Sequence, residues 1–252
     1  MNQTLPRGRL PRASIALAAL AIVLAASRPG APPPVQAGGA YAPGGAGYDI
    51  SWPQCGSPYP VLGAGEFAVV GITGGSPFAP NPCFTSEFSW ASGGGVRPSV
   101  YLNVAFGKST DGPCSPADPP CRPYDYGWNT ARDAFLSAWV GTSGASLDAR
   151  MWWLDVETGN TWSDDTFANS MVVRGAIDFL KTAHRRVGVY STPSIWRTIA
   201  GGYAPADVPS WVAGATDGAD YSMCFQPLWP GSTVPIFQYL PTGALFDRNH
   251  SC

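Results

Sequence analysis

The sequence predicts an α/β protein, a TIM-like β/α barrel with an incomplete helical ring of about five β/α units followed by three strands. Three observations carry this reading. From residue 47 onward, short apolar runs alternate with stretches of helical spacing, the order that right-handed parallel crossovers impose. The early strands are apolar on both faces, as in a sheet covered on each side. The last three strand candidates follow one another almost without helix, so the outer ring cannot close. An open doubly wound sheet is the rival, but no G-x-G-x-x-G follows the first strand, and that rival lacks its nucleotide-binding signature.

The elements follow in order. Residues 47–51 (GYDIS) and 67–73 (FAVVGIT) give two strands, and 84–93 a short helix that stops at a run of three glycines. Residues 96–104 (VRPSVYLNV) form the third strand. Past a Pro- and Cys-rich loop, 129–140 (NTARDAFLSAWV) carries apolar residues at helical spacing. The fourth strand, 151–156 (MWWLDV), is wholly apolar up to Asp155. Asp165 caps a helix running to about Ala183, with Phe167, Met171, Ile177 and Leu180 as its buried stripe. The fifth strand is 187–190 (VGVY), a short helix covers 194–200, and strands at 210–213, 234–239 and 244–247 complete the set.

Composition narrows the function. Only 13% of the chain is charged, about half the usual ~25%, while 10 Trp, 10 Tyr and 11 Phe supply ample material for a core. Of the 15 basic residues, Arg7, Arg9, Arg12 and Arg28 precede residue 38, where no acidic residue stands. The remainder carries 11 basic side chains against 17 acidic ones, with Lys108 and Lys181 the only lysines. A surface that tracks phosphates needs clustered Lys and Arg, so nucleic acid is excluded as a partner, and so is a polybasic membrane patch.

Residues 1–37 read as an export signal: a basic start, an uncharged stretch from Ala13 to Ser27 too short to span a bilayer, and the small-residue pattern Val35-Gln36-Ala37. Residues 38–46 are then a flexible Gly/Pro-rich lead and 47–252 the barrel. An uncleaved N-terminal membrane anchor is the alternative. A secreted, monomeric protein is expected, with no membrane insertion after cleavage.

Cys55, Cys83, Cys114, Cys121, Cys224 and Cys252 form no C-x-x-C pair, and His184 and His250 are the only histidines. A zinc ribbon or thioredoxin-type site therefore has nothing to stand on. An even count in an exported chain means disulfides. Cys55 and Cys83 follow strands one and two, Cys224 lies between strands six and seven, and Cys252 follows strand eight, all placed on the face of the strand ends. The expected pairs are 55–83, 114–121 and 224–252.

The chemistry centres on Trp152-Trp153-Leu154-Asp155-Val156-Glu157. Glutamate is scarce here, with Glu66, Glu87 and Glu157 alone. Residues two apart on a strand face the same side, so Trp153, Asp155 and Glu157 point one way and Leu154 and Val156 the other. Two carboxylates against an indole are costly to ionise together, and the one whose pKa rises suits a general acid beside a charged partner. Asp49 ends the first strand and Asp247 the last. Since strands one and eight meet on closure, all four acids are expected in one cleft at the strand ends. Nothing demands a metal or cofactor. Glu87, in the first short helix, is expected to be silent when replaced. Trp52 and Trp162 are candidates for stacking on a sugar ring, whereas Trp139, Trp196 and Trp211 read as packing.

From Gly47 to Asn249 the chain resembles the lysozyme-type muramidases of glycoside hydrolase family 25. The resemblance rests on GYDIS-W, LDVE, GVYS at 188–191, SWVA at 210–213, Phe-Gln-Tyr at 237–239 and FDRN at 246–249, in the family's order. It implies a glycosidase that cleaves the β-1,4 bond of peptidoglycan, with Glu157 as general acid, Asp155 as its partner, Asp49 and Asp247 in the same site, and Tyr190 and Gln238 among the substrate contacts. The chain departs from the family at Phe237, where a Trp is usual, at Gly214-Ala215, which replaces a bulky aromatic, and in the 114–121 insertion. Chitinase-like barrels share D-x-E on strand four but place another aspartate where this chain has Trp153. A barrel that binds cell-wall polysaccharide without turning it over is the alternative function. No G-x-S-x-G supports a serine hydrolase, and Gly107-Lys108-Ser109-Thr110 lacks the glycine a P-loop requires at position 102.

Overall fold

In a computed structural model, which describes Met1, residues 40–114 and residues 121–252, eight strands close into a barrel in sequence order. Apart from Met1, the export segment expected at 1–37 lies outside the described residues. The strands are β1 (Ala46–Ile50), β2 (Phe67–Gly71), β3 (Ser99–Asn103), β4 (Trp152–Asp155), β5 (Val187–Ser191), β6 (Ser210–Ala215), β7 (Ile236–Tyr239) and β8 (Asp247–Ser251). Four helices flank them: α1 (Phe84–Ser92), α2 (Cys121–Gly141), α3 (Thr166–Thr182) and α4 (Pro193–Ala200). The β1–β2 connection holds only a 3-10 turn at Trp52–Gln54, so four passes, not five, carry an α-helix. α2 also begins eight residues before the expected Asn129.

Neighbours from β1 to β7 are parallel, but β8 runs antiparallel to both β7 and β1. The reason is the β7–β8 link. Residues 240–246 are too few for a crossover, and a short link can only return the chain in the opposite sense. Those residues are spent on the turn, so β8 starts at Asp247 rather than spanning 244–247.

Strand alternation sorts the core into two sets. Ile50, Val70, Leu102, Leu154, Val189 and Val212 face outward and are buried under the helices. Phe67, Val69, Trp153, Trp211 and Ile236 fill the barrel interior, where the Trp153 and Trp211 rings meet edge to face at 5.8 Å. Tyr41 belongs to this inner set. It is 4% exposed, and the Trp153 indole donates to its hydroxyl at 3.1 Å. The described part of the expected flexible lead therefore plugs the barrel floor, because the N-terminal strand ends leave an apolar opening that an aromatic ring fills.

Asp165 caps α3 as expected, accepting from the Phe167 and Ala168 amides. The buried stripe differs: Phe167 is exposed, and small residues (Ala168, Val172, Val173, Ala176) join Ile177 and Leu180 in the core. Their size follows from the crossing with α2. A Cβ at Gly127 would lie 1.8 Å from the Val172 carbonyl oxygen, and one at Gly175 would lie 2.0 Å from that of Tyr124. Both obstacles are backbone, so a methyl group must push the helices apart. Gly127→Ala and Gly175→Ala are each expected to destabilise by about 1–3 kcal/mol or more, lowering the melting midpoint by roughly 2–4 °C per kcal/mol. Scanning calorimetry that found either variant at the parental midpoint would contradict this packing.

All three expected disulfides are present: Cys55–Cys83, Cys114–Cys121 and Cys224–Cys252. The location of the last is corrected. With β8 antiparallel, Cys252 sits at the opposite end of the barrel from Asp247, where its amide donates to the Pro235 carbonyl beside the start of β7.

Candidate active site

Asp49, Asp155, Glu157 and Asp247 line one cleft of about 190 Å³, together with Tyr101, Tyr190, Trp211 and Gln238. Each residue arrives by strand parity. Asp49, Asp155, Tyr190 and Gln238 occupy inward positions near the C-terminal ends of β1, β4, β5 and β7, while Tyr101 in the middle of β3 and Trp211 near the start of β6 reach the cleft from deeper in the barrel. Asp247 reaches the same mouth because β8 is antiparallel: it is the first residue of its strand and pairs directly with Asp49. Asp247 is therefore the start of an antiparallel strand, not the end of a parallel one as its sequence position suggests.

A polar scaffold holds the acids. Gln238 Nε2 donates to both oxygens of Asp49 at 3.1 Å, and Asn249 Nδ2 donates to its Oδ2 at 2.6 Å. The Tyr190 hydroxyl donates to Gln238 Oε1 (2.7 Å) and the Trp211 indole to Asn249 Oδ1 (2.8 Å), so each amide is fixed in orientation. On the other side, Asn103 Nδ2 donates to Asp155 Oδ2, while Asn103 Oδ1 accepts from the Thr73 hydroxyl at 2.7 Å. Asp155 Oδ1 is buried without a hydrogen-bond partner. Thr73, Tyr101, Asn103, Trp211 and Asn249 were not among the expected site residues. The available clue was parity: Asn103 is a polar residue at the inward end of an apolar strand.

Burial governs the electrostatics. It pushes the Asp49 carboxyl up to about 7, helped by the charge of Asp247 and then Glu157, against bonds from Asn249 and Gln238 that pull it down. Burial, followed by the charges of Glu157 and Asp49, holds Asp155 well above the usual carboxylate range. Asp247 is raised by burial and by Glu157. A pH effect on stability follows. An ordinary aspartate titrates near 3.8, so between about pH 4 and pH 7 the unfolded chain releases a proton that folded Asp49 keeps. Stability from this group is full below about pH 4 and is lost as the pH rises through about 7. Asp49→Asn, whose oxygen at the Oδ2 position still takes both amides, is expected to flatten the fall in melting midpoint between pH 4 and 7.5. Equal slopes in both proteins would rule out Asp49 as its source.

The aromatics divide. Trp52 is half-exposed and lies against the turn at Gly75. Trp162 does not line the cleft: its indole donates to the Glu157 carbonyl at 2.7 Å and its ring packs on the core, which makes it a positioning residue for Glu157. Trp196 is buried, but Trp139 is 48% exposed on α2, because it falls outside the face that α2 turns to the barrel. Phe237 faces outward, against Tyr221 and His250, so this departure from the family lies away from the cleft. Gly214 does lie at the cleft end of β6, where the strand bulges and its φ of 100° favours glycine.

Glu87, expected to be silent in turnover when replaced, is nonetheless a buried structural carboxyl. It is 0% exposed, Asn81 Nδ2 donates to its Oε2 at 2.7 Å, and burial pushes its carboxyl up to about 7. Glu87 also neighbours Cys55 and Cys83, but that cysteine pair is oxidised and offers no thiolate to a metal.

Comparison with known proteins agrees with the motif order. A family profile described as "Lysozyme-like protein 1" matches residues 121–222. The "Probable GH family 25 lysozyme 4" of Dictyostelium discoideum is 35% identical over 103 residues, 40% of this chain and 47% of that protein, so the chain spans about half the length of this curated relative. Among solved structures, a muramidase from Trichobolus zukalii superposes with a TM-score of 0.58 at 20% identity, over 82% of this chain and 93% of that one. The bacterial lysozyme from Streptomyces coelicolor gives 0.54 at 23%, over 82% and 92%. The chain thus shares the closed-barrel fold of these muramidase and lysozyme structures and, over part of its length, resembles the lysozyme-type proteins of glycoside hydrolase family 25.

Proposed function

We propose that this chain is a secreted glycoside hydrolase that cleaves β-1,4 bonds of peptidoglycan. The observation that carries the reading is the Asp155-x-Glu157 pair of β4, lining the same cleft as Asp49 and Asp247. Glu157 protonates the leaving glycosidic oxygen. Asp155 stabilises the positive charge that develops on the sugar, either by facing it or by orienting a substrate acetamido group that attacks in its stead. Its burial supports this role: an ionised Asp155 is costly in its desolvated position and responds strongly to a cation formed in the same low-dielectric space. Tyr190, Gln238 and Asn249 hold Asp49 in place, and Trp52 offers an exposed ring to a neighbouring sugar.

Export is part of the proposal. Three disulfides suit an oxidising compartment, and among the described residues no helix is long and apolar enough to cross a membrane. A barrel that binds the polysaccharide without cleaving it is the second reading, favoured by Gly214-Ala215, which leaves the rim open where the family carries a bulky aromatic. Incubation of the purified protein with peptidoglycan decides between them. Fragments ending in reducing muramic acid, identified by mass spectrometry, are expected; binding without release would support the second reading.

A further inference from the structure

Beside the carboxylate cleft, on the same end of the barrel, lies a larger cavity of about 660 Å³. It is formed by the loops that follow β3 and β4 and by the first turn of α2, with Phe106, Lys108, Arg122, Asp125, Ser163 and Asp165 in its walls. Its volume falls in the ~300–1,000 Å³ range of sites that hold small ligands. The cavity is tied to the cleft: Trp162, which holds the Glu157 carbonyl, immediately precedes Ser163, and the Phe106 amide donates to the Thr161 carbonyl at 2.8 Å.

The charges of this cavity are unequally engaged. Both acids are occupied by backbone amides: Asp125 Oδ1 accepts from Cys114 (2.9 Å), and Asp165 Oδ1 accepts from Phe167 and Ala168 (3.0 and 3.1 Å). Among the described residues the two cations have no acidic partner. Among the described residues the salt bridges are Arg174–Asp178 and Arg248–Glu66, and neither Lys108 nor Arg122 enters one. The Lys108 ammonium lies 5.8 Å from the Phe106 ring centroid, a contact that holds the charge near the cavity without neutralising it. Lys108 and Arg122 are both exposed and, among the described residues, without a salt-bridge partner, so this cavity offers two cations to an anion.

We propose that this cavity is a subsite for the carboxylate-bearing peptide attached to the glycan, with Lys108 and Arg122 receiving its carboxylates. The inference rests on the peptidoglycan-hydrolase reading and deepens it: the enzyme selects glycan strands that still carry peptide over bare ones. Arg122 offers a planar fork of donors to a carboxylate, and Lys108 a mobile point charge.

The test compares the full chain on peptidoglycan with its peptides and on the same strands after the peptides have been stripped. The peptide-bearing glycan is expected to be preferred by about tenfold in kcat/KM, the effect of one or two charge-assisted hydrogen bonds. The Lys108→Ala/Arg122→Ala pair is expected to abolish the preference through KM, with activity on stripped glycan unchanged, and 0.5 M salt is expected to shrink the parental preference. Equal parental rates on both glycans, or equal losses on both in the double variant, would overturn the proposal. A binding arm separates it from the hydrolase reading. Titration with N-acetylmuramoyl-L-alanyl-D-isoglutamine, followed by calorimetry, should show binding to the parent and at least about tenfold weaker binding to the double variant, even if no glycan is cleaved. Absence of binding to the parent would remove the subsite while leaving a positive cleavage result intact.

Discussion

Glu157→Gln is expected to lower turnover by at least about a hundredfold with little change in glycan binding. The amide keeps the shape of the side chain and most of its hydrogen bonding, so the cleft and its affinity for sugar survive. What it lacks is a transferable proton, and general acid–base catalysis contributes typically ~10²–10⁴-fold. A loss in kcat without a rise in KM is the signature of an interaction made only in the transition state. The expectation draws on placement: Glu157 follows β4 by two residues, keeps the inward parity of Trp153 and Asp155, and has its backbone anchored by the Trp162 indole. Trp162→Phe, which keeps the ring but removes that N–H, should reduce kcat less than Glu157→Gln does. Parental turnover in Glu157→Gln would leave the carboxylate mechanism without its acid.

Strand periodicity made much of this site readable in advance. The period of two put Trp153, Asp155 and Glu157 on one side, and they do line the barrel interior and its mouth. The apolar runs likewise marked seven of the strands, since burial on both faces leaves a pattern that loops do not imitate. Where the reading failed, a tertiary constraint outweighed local pattern. β8 (Asp247–Ser251) is polar, with alternate inward residues Asn249 and Ser251 serving Asp49 and the residues before β1, so no apolar run announced it. The small buried stripe of α3 depends on how closely α2 approaches, which Phe167 and Met171 do not reveal. The amides that orient Asp49 and Asp155 come from β3, β7 and β8, and only the closed barrel brings them together. Glu87 illustrates the converse: nothing in FTSEFSWAS announces a carboxylate buried with Asn81, because its partner arrives from the preceding loop.

Asp155→Asn is expected to move activity and stability in opposite directions. Turnover should fall by about a hundredfold or more, because the neutral amide cannot answer the positive charge that develops on the sugar. Stability at pH 8 should rise. The parental carboxyl is buried between the charges of Glu157 and Asp49, and burial raises its pKa well above the ordinary range. The folded protein therefore binds a proton that the unfolded chain has already released, and stability declines as the pH climbs from about 4 through that raised value. The amide removes this cost. Its oxygen still accepts from Asn103 Nδ2, and its nitrogen takes the place of Oδ1, which has no partner to lose. The variant should melt several degrees above the parent at pH 8, at roughly 2–4 °C per kcal/mol, and the gain should vanish near pH 4, where the carboxyl is protonated in both states. This is the trade expected of a group placed for chemistry at the expense of the fold. If Asp155→Asn instead melted lower at pH 8 and kept its turnover, Asp155 would be a strut for Asn103 and Thr73, and the charge facing the substrate would have to come from Asp49 or Asp247.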